Sequence, residues 1–215
     1  MDVWGLTSGM TSDSLSYSGE VSRKALHVVA MLIPAGMLAI DRELGLAILV
    51  PLALAAIWLD RYRTRNEAVR DWLDTHVGFM MRDKERGDHP ETVFNGATWV
   101  MITAALLLAV FPAEYAAPGM VIAMLGDAGA ALVGRKWGSH QWPGTRRTVE
   151  GTLAFMLTGV ATAALFWYLP WGHRLAAVGL AGIAEIPPLR INDNLLLPFV
   201  TATVLWGLAG TPPLW

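Results

Sequence analysis

The chain has 215 residues, of which 54% are hydrophobic and only 16% charged, against roughly a quarter charged in an ordinary soluble domain. It is long enough for one compact domain and too apolar to face water on every side. A net charge of −2 gives no argument for a nucleic-acid partner, and the lack of cysteine excludes disulfides, thiolate zinc sites and a cysteine nucleophile.

Residues 1–19 are polar and rich in Ser and Thr, with no basic start. They read as a polar cytoplasmic leader and not as a signal peptide. Residues 20–215 are expected to form a single membrane-embedded domain. Mostly apolar segments fall near 25–40, 44–59, 93–111, 116–134, 149–169, 173–187 and 195–210. Each comes close to the roughly 17–25 residues of a spanning helix. Lipid obliges backbone polar groups to pair within a segment. The expected fold class is therefore all-α, with about seven transmembrane helices. The polar stretch 60–92 carries seven basic and eight acidic residues. Within it Val69, Trp72, Leu73, Val77 and Met80 recur at helical spacing over 66–81. This predicts an amphipathic helix on the inner leaflet, although a solvated connector would show the same pattern.

Charge sets the expected orientation. With the N-terminus inside, 14 of the 16 basic residues fall in cytoplasmic segments, and only Arg42 and Arg174 lie outside. That is a strong positive-inside split, and it places the C-terminus outside.

Four polar constellations gather at the predicted cytoplasmic helix ends. Glu20, Arg23, Lys24 and His27 are spaced to share one helix face; membrane anchoring accounts for the two cations. Asp127 lies inside an apolar span, where a carboxylate costs at least about 2.5–3.5 kcal/mol. Ala130, Gly134 and Gly138 continue its face, as a close-approach surface or as a small-residue packing stripe. Arg146, Arg147, Thr148 and Glu150 surround a helix start, an arrangement suited to phosphate oxygens, with Thr148 also an ordinary N-cap. Glu185 ends one span, and Asp193 and Asn194 begin the last; Asp193 could equally be an N-cap. Carboxylates from three spans beside arginines suggest a site for a divalent metal and a polyphosphate. Hard oxygen ligands suit Mg2+. No phosphate loop, zincin or serine-hydrolase motif is present.

These motifs, in this order, resemble the polyprenol kinase family: dolichol kinase, phytol kinase and the CTP-dependent diacylglycerol kinase. More distantly the chain is similar to the CDP-diacylglycerol synthases. The resemblance rests on Glu20-x-x-Arg23-Lys24-x-x-His27, Arg82-x-x-Glu85, Gly126-Asp127-x-x-Ala130-x3-Gly134-x3-Gly138, Arg147-Thr148-x-x-Gly151 and Asp193-Asn194-Leu195-x-x-Pro198. The chain departs from the family at Arg147, where Lys is usual, and at Asn192, where an acid is common. The resemblance implies transfer of the terminal phosphoryl group of CTP to a lipid alcohol such as phytol or a polyprenol. It also implies Mg2+ on Asp127 and Asp193, and phosphate binding by Arg23, Lys24, Arg146, Arg147 and Thr148. Gly134 and Gly138 would let the nucleotide approach, and Asn194 would orient a phosphate or the metal shell. Glu150 or Glu185 would serve as base. The active site would face the cytoplasm from an inner or plasma membrane. A phosphatidate cytidylyltransferase, a diacylglycerol kinase and a non-enzymatic carrier or scaffold are the competing readings.

Overall fold

The computed structural model describes residues 21, 22, 25, 26, 28–76, 94–189 and 191–210. Among these the regular elements are eight helices: α1 (Leu32–Ala39), α2 (Arg42–Arg63), α3 (Glu67–His76), α4 (Gly96–Val110), α5 (Ala113–Trp137), α6 (Val149–Ala163), α7 (Trp171–Glu185) and α8 (Asp193–Ala209). One isolated antiparallel bridge joins Gln141 to Thr148. The all-α expectation holds, and each predicted apolar segment overlaps one of these helices, the first segment also holding helical residues at 25, 26, 28 and 29. The amphipathic stretch supplies α3, whose Asn66 side chain accepts from the Val69 N–H at 3.1 Å and so caps its start. The remainder of the predicted amphipathic run, from 77, lies outside the described residues.

Two boundaries differ from the sequence expectation. The first apolar run is interrupted by a turn at Ala30–Met31 before α1 begins. The run predicted over 149–169 leaves the helix at Ala163, and 164–170 closes in short turns. There the Arg174 guanidinium donates to the Ala163 carbonyl at 3.0 Å. It shares that carbonyl with the Phe166 N–H, which donates to it at 3.2 Å, so the end of the helix is held twice. Hydropathy alone continues through this point because Leu165, Phe166 and Trp167 are apolar.

The long α5 is the centre of the assembly. It packs along α6 and α8 and also meets α1, while α2 packs on α4 and α7 on both α6 and α8. Contacts at the helix ends fix the directions. Arg42, opening α2, donates to the Leu108 and Ala109 carbonyls at the end of α4, at 2.9 and 2.5 Å. Asp60, near the end of α2, meets Asn95 just before α4. Arg174 joins the start of α7 to the end of α6, and Arg147 joins the approach to α6 to the end of α7. Neighbouring helices therefore alternate in direction. One end of the bundle collects the C-termini of α2, α5 and α7 with the N-termini of α4, α6 and α8.

Phe155, Leu107, Leu108, Met120 and Ile122 are fully enclosed, but so are Asp60, Thr98, Thr103 and Thr201. Outward faces are strongly apolar: Leu54 is 60% exposed, Leu157 74% and Trp167 83%. By length and composition α2 and α5 could cross a membrane, and α4, α6 and α8 are apolar but shorter. The two cations outside the predicted cytoplasmic segments, Arg42 and Arg174, both hold carbonyls at helix C-termini, where positive charge is favoured.

Candidate active site

The site is assembled from the junction between α5 and α6. Gly134 and Gly138 face the start of α6. A Cβ on Gly134 would lie 2.9 Å from Thr148 Oγ1, and one on Gly138 2.7 Å from both Thr148 Oγ1 and Cγ2. The small residues thus let α6 begin directly against α5. Thr148 caps α6, its Oγ1 accepting from the Gly151 N–H at 3.1 Å. The approach to the helix is a tight loop. The Trp142 N–H donates to the Arg147 carbonyl at 2.9 Å, and the Val149 N–H donates to the His140 carbonyl at 2.8 Å. Gly144 turns the loop with φ +74°, a backbone state that glycine adopts without strain. Trp142 Nε1 donates to Thr152 Oγ1 at 3.1 Å and ties the loop to α6.

This loop aims Arg147 into the bundle end. Arg147 Nη1 donates to Glu185 Oε1 at 2.9 Å, and Nη2 donates to Asp193 Oδ2. Glu185 is 2% exposed, whereas Asp193 is 34% exposed, so the cluster runs from the protein interior to its surface. Burial disfavours the Arg147 charge, but Asp193, Glu185 and Asp127 outweigh it and raise its pKa above the ordinary value. Carboxylates from α7 and α8 therefore bond one guanidinium, and the charge of Asp127 on α5 acts on it as well. Asn192, not Asp193, caps α8: its side chain accepts from the Asn194 N–H at 2.9 Å. The division of labour leaves the Asp193 carboxylate for Arg147.

A second polar network borders the cluster, and the sequence motifs do not contain it. Asp60 Oδ1 forms an ion pair with Arg63, 2.9 Å from its Nε, and accepts from Asn95 Nδ2 at 2.8 Å. Asp60 Oδ2 accepts from the Asn95 backbone N–H at 2.9 Å. Asn95 in turn caps α4, accepting from the Thr98 N–H at 3.0 Å. The next carbonyl, that of Gly96, accepts from Asn194 Nδ2 at 3.3 Å. The available signal was that Asp60 closes an apolar run and Asn95 precedes another. Their partnership across 35 residues is a tertiary fact.

The chain is 34% identical over 89 residues to dolichol kinase of Saccharomyces cerevisiae, a region covering 37% of this chain and 17% of that protein. It is 31% identical over 102 residues to phytol kinase of Synechocystis, covering 43% and 44%. It is 30% identical over 135 residues to CTP-dependent diacylglycerol kinase 1 of Schizosaccharomyces pombe, covering 61% and 58%. The chain is a homologue of the polyprenol and lipid kinases. These similarities span 17%, 44% and 58% of those three kinases. No family model matches the chain, and no solved structure matches it.

The motifs that resemble this kinase family are distributed as follows. Arg147, Glu185 and Asp193 come together, Asn194 directly follows Asp193, and Asp127 acts on Arg147 through its charge. Glu150 does not join them. Its Oε1 accepts from Ser139 Oγ at 2.8 Å and lies 2.6 Å from His140 Nδ1, so it fastens the loop instead. Arg146 is exposed on the same loop and makes no ion pair among the described residues. Thr148, Gly134 and Gly138 are engaged in helix capping and packing. Glu20, Arg23, Lys24, His27, Arg82 and Glu85 lie outside the described residues. No cluster of three or more His, Asp or Glu side chains spaced for a metal occurs among the described residues. Two carboxylates can still suit Mg2+, which takes its other ligands from phosphates and water. Asp193 fits that role: one carboxylate oxygen is bonded to Arg147, and no protein partner for the other occurs among the described residues.

Proposed function

We propose that this chain is a membrane-embedded lipid alcohol kinase that uses a nucleoside triphosphate, CTP by family likeness, and an isoprenoid alcohol as acceptor. The observation that carries the reading is Arg147, bonded to Glu185 and Asp193 with Asp127 in electrostatic reach. Kinship with dolichol, phytol and CTP-dependent diacylglycerol kinases supports it. The membrane reading is supported by leucines and tryptophans exposed on the outside while charged groups lie inside, the reverse of a water-facing protein. Seven spanning segments, an N-terminus inside and a cytoplasmic site follow from the positive-inside split.

Phosphoryl transfer is chiefly positioning and charge neutralisation. The lipid hydroxyl oxygen bonds to the terminal phosphorus as the bridging P–O bond breaks, and the nucleoside diphosphate leaves with that electron pair. Arg147 turns its fork from the carboxylates toward the phosphate oxygens, with exposed Arg146 above it. Glu185, released from Arg147, takes the hydroxyl proton. It lies in the carboxylate cluster, whereas Glu150 is bonded to His140 and Ser139. Asp127 and Asp193 would hold Mg2+, which supplies neutralisation of the triphosphate charge when bound. Asn194 fixes the start of α8, and the lipid tail enters between helices.

The test is transfer from labelled nucleotide by purified protein in lipid, with phytol, a polyprenol and diacylglycerol as acceptors. Label from the γ-phosphate is expected in the lipid product, with CDP released. Entry of α-phosphate label with loss of pyrophosphate would replace the kinase by a cytidylyltransferase. Absence of transfer from every nucleotide would favour a carrier.

A further inference from the structure

We infer that Asp60 is a positioning residue for the Asp193–Arg147 pair, acting through Asn95, Gly96 and Asn194; as a statement about catalysis this rests on the kinase reading above. Asp60 is 1% exposed and Arg63 5%. A buried ion pair of this kind is often replaceable by apolar side chains without loss of stability. Its stronger effect is to fix one arrangement among several, and here the arrangement it fixes is visible. Both Asp60 oxygens grip Asn95, through the backbone N–H at 2.9 Å and the side-chain amide at 2.8 Å. An N-cap needs only its own side chain to receive the helix N–H. Asn95 does that with Thr98 and is held by Asp60 as well.

The grip has two consequences. It joins both feet of the 61–94 segment at the end of the bundle where the carboxylates meet. It also sets the height of the Gly96 carbonyl, which receives Asn194 Nδ2 at 3.3 Å. Asn194 is 8% exposed and directly follows Asp193. A shift of α4 at its start therefore moves the first turn of α8, and with it the Asp193 carboxylate bonded to Arg147.

The test uses the full chain in lipid bilayers, comparing the parent with Asp60→Asn, Asn95→Asp and the two combined. Asp60→Asn sets an amide against the Asn95 amide, and Asn95→Asp sets two carboxylates together. The combined change exchanges the partners, so an amide again donates to a carboxylate and Arg63 keeps an acid nearby. Amide hydrogen exchange at residues 194–197 is the readout independent of activity. Each single change should speed it by about tenfold or more, the scale of one lost charge-assisted hydrogen bond. Phosphoryl transfer should fall by about tenfold to a hundredfold, as expected of a misplaced reacting group. The combined variant should recover both. Asn194→Ala, with Asp60 intact, should reproduce the exchange change at 194–197. If either single change proves unable to fold, the combined variant should fold; its failure to do so overturns the inference. Faster exchange confined to 94–99, or no recovery in the combined variant, also overturns it. If the parent transfers no phosphate, the kinase reading fails, while the exchange data still decide the structural link.

Discussion

At the scale of single residues, the proposed chemistry centres on Arg147. Its fork spans Glu185 on α7 and Asp193 on α8, which a single ammonium point charge cannot match in geometry. Replacing Arg147 with Ala should reduce turnover by about a hundredfold or more, the scale of removing one preorganised charge-stabilising donor. Arg147→Lys should retain part of it, because the charge survives and the bidentate geometry does not. Steady-state transfer kinetics check both. The sign of the pH effect is also set. The Arg147 pKa is raised in the folded chain, so its contribution is complete below the ordinary arginine pKa and disappears only above the folded value. Activity should show no alkaline decline attributable to Arg147 across the pH range of an ordinary assay. Asp127→Asn should nearly abolish transfer and leave the far-ultraviolet circular dichroism unchanged. The amide keeps the shape and removes the charge that the proposed Mg2+ site would use and that acts on Arg147. Activity within a few-fold of the parent would make Asp127 a structural group.

At the scale of elements, the α5–α6 junction is the feature most exposed to small changes. Gly134→Ala would bring a methyl group to 2.9 Å from Thr148 Oγ1. The expected loss is about 1–3 kcal/mol from overpacking. Thr148→Ala removes the cap on Gly151 and should cost about 1 kcal/mol. Thermal unfolding in detergent measures both. Because Arg147 is next to Thr148, each variant should also lower turnover more than its stability loss suggests. A change in stability with unaltered turnover would separate the junction from the site. The α8 start makes the same point in another form. A sequence reading could assign Asp193 to the cap, but Asn192 takes it. A one-residue difference in register decides whether Asp193 is used locally or faces Arg147, and helix-start propensities favour Asn and Asp about equally.

At the scale of the whole molecule, alternating helix directions put the charged cluster at one end and the Arg42 and Arg174 carbonyl contacts at the other. The proposed topology predicts that a reporter fused after Trp215 is external while one placed in the 60–92 segment is cytoplasmic. Accessibility labelling checks it, and a cytoplasmic C-terminal signal in folded protein would remove the seven-span arrangement. The 15 residues of α4 and of α6 give lengths of about 22 Å, below the roughly 30 Å of a bilayer core. The flanking turns at 164–170, rich in Leu, Phe and Trp, would complete the span of α6.

The sequence by itself determined the helical class, the positions of the apolar segments and a set of candidate acids and arginines. Hydrophobic runs, motif order and charges within apolar runs are local signals, and each is written in adjacent residues. Tertiary structure alone decided which of those groups touch. It separated Glu150, held by His140 and Ser139, from Glu185, held by Arg147. It assigned the glycine stripe to the Thr148 contact, and it paired Asp60 with Asn95 across 35 residues. The reason is that a carboxylate at a helix end is compatible with a cap, a loop clasp or an ion pair. Only the positions of neighbouring helices select the partner that satisfies its desolvated oxygens.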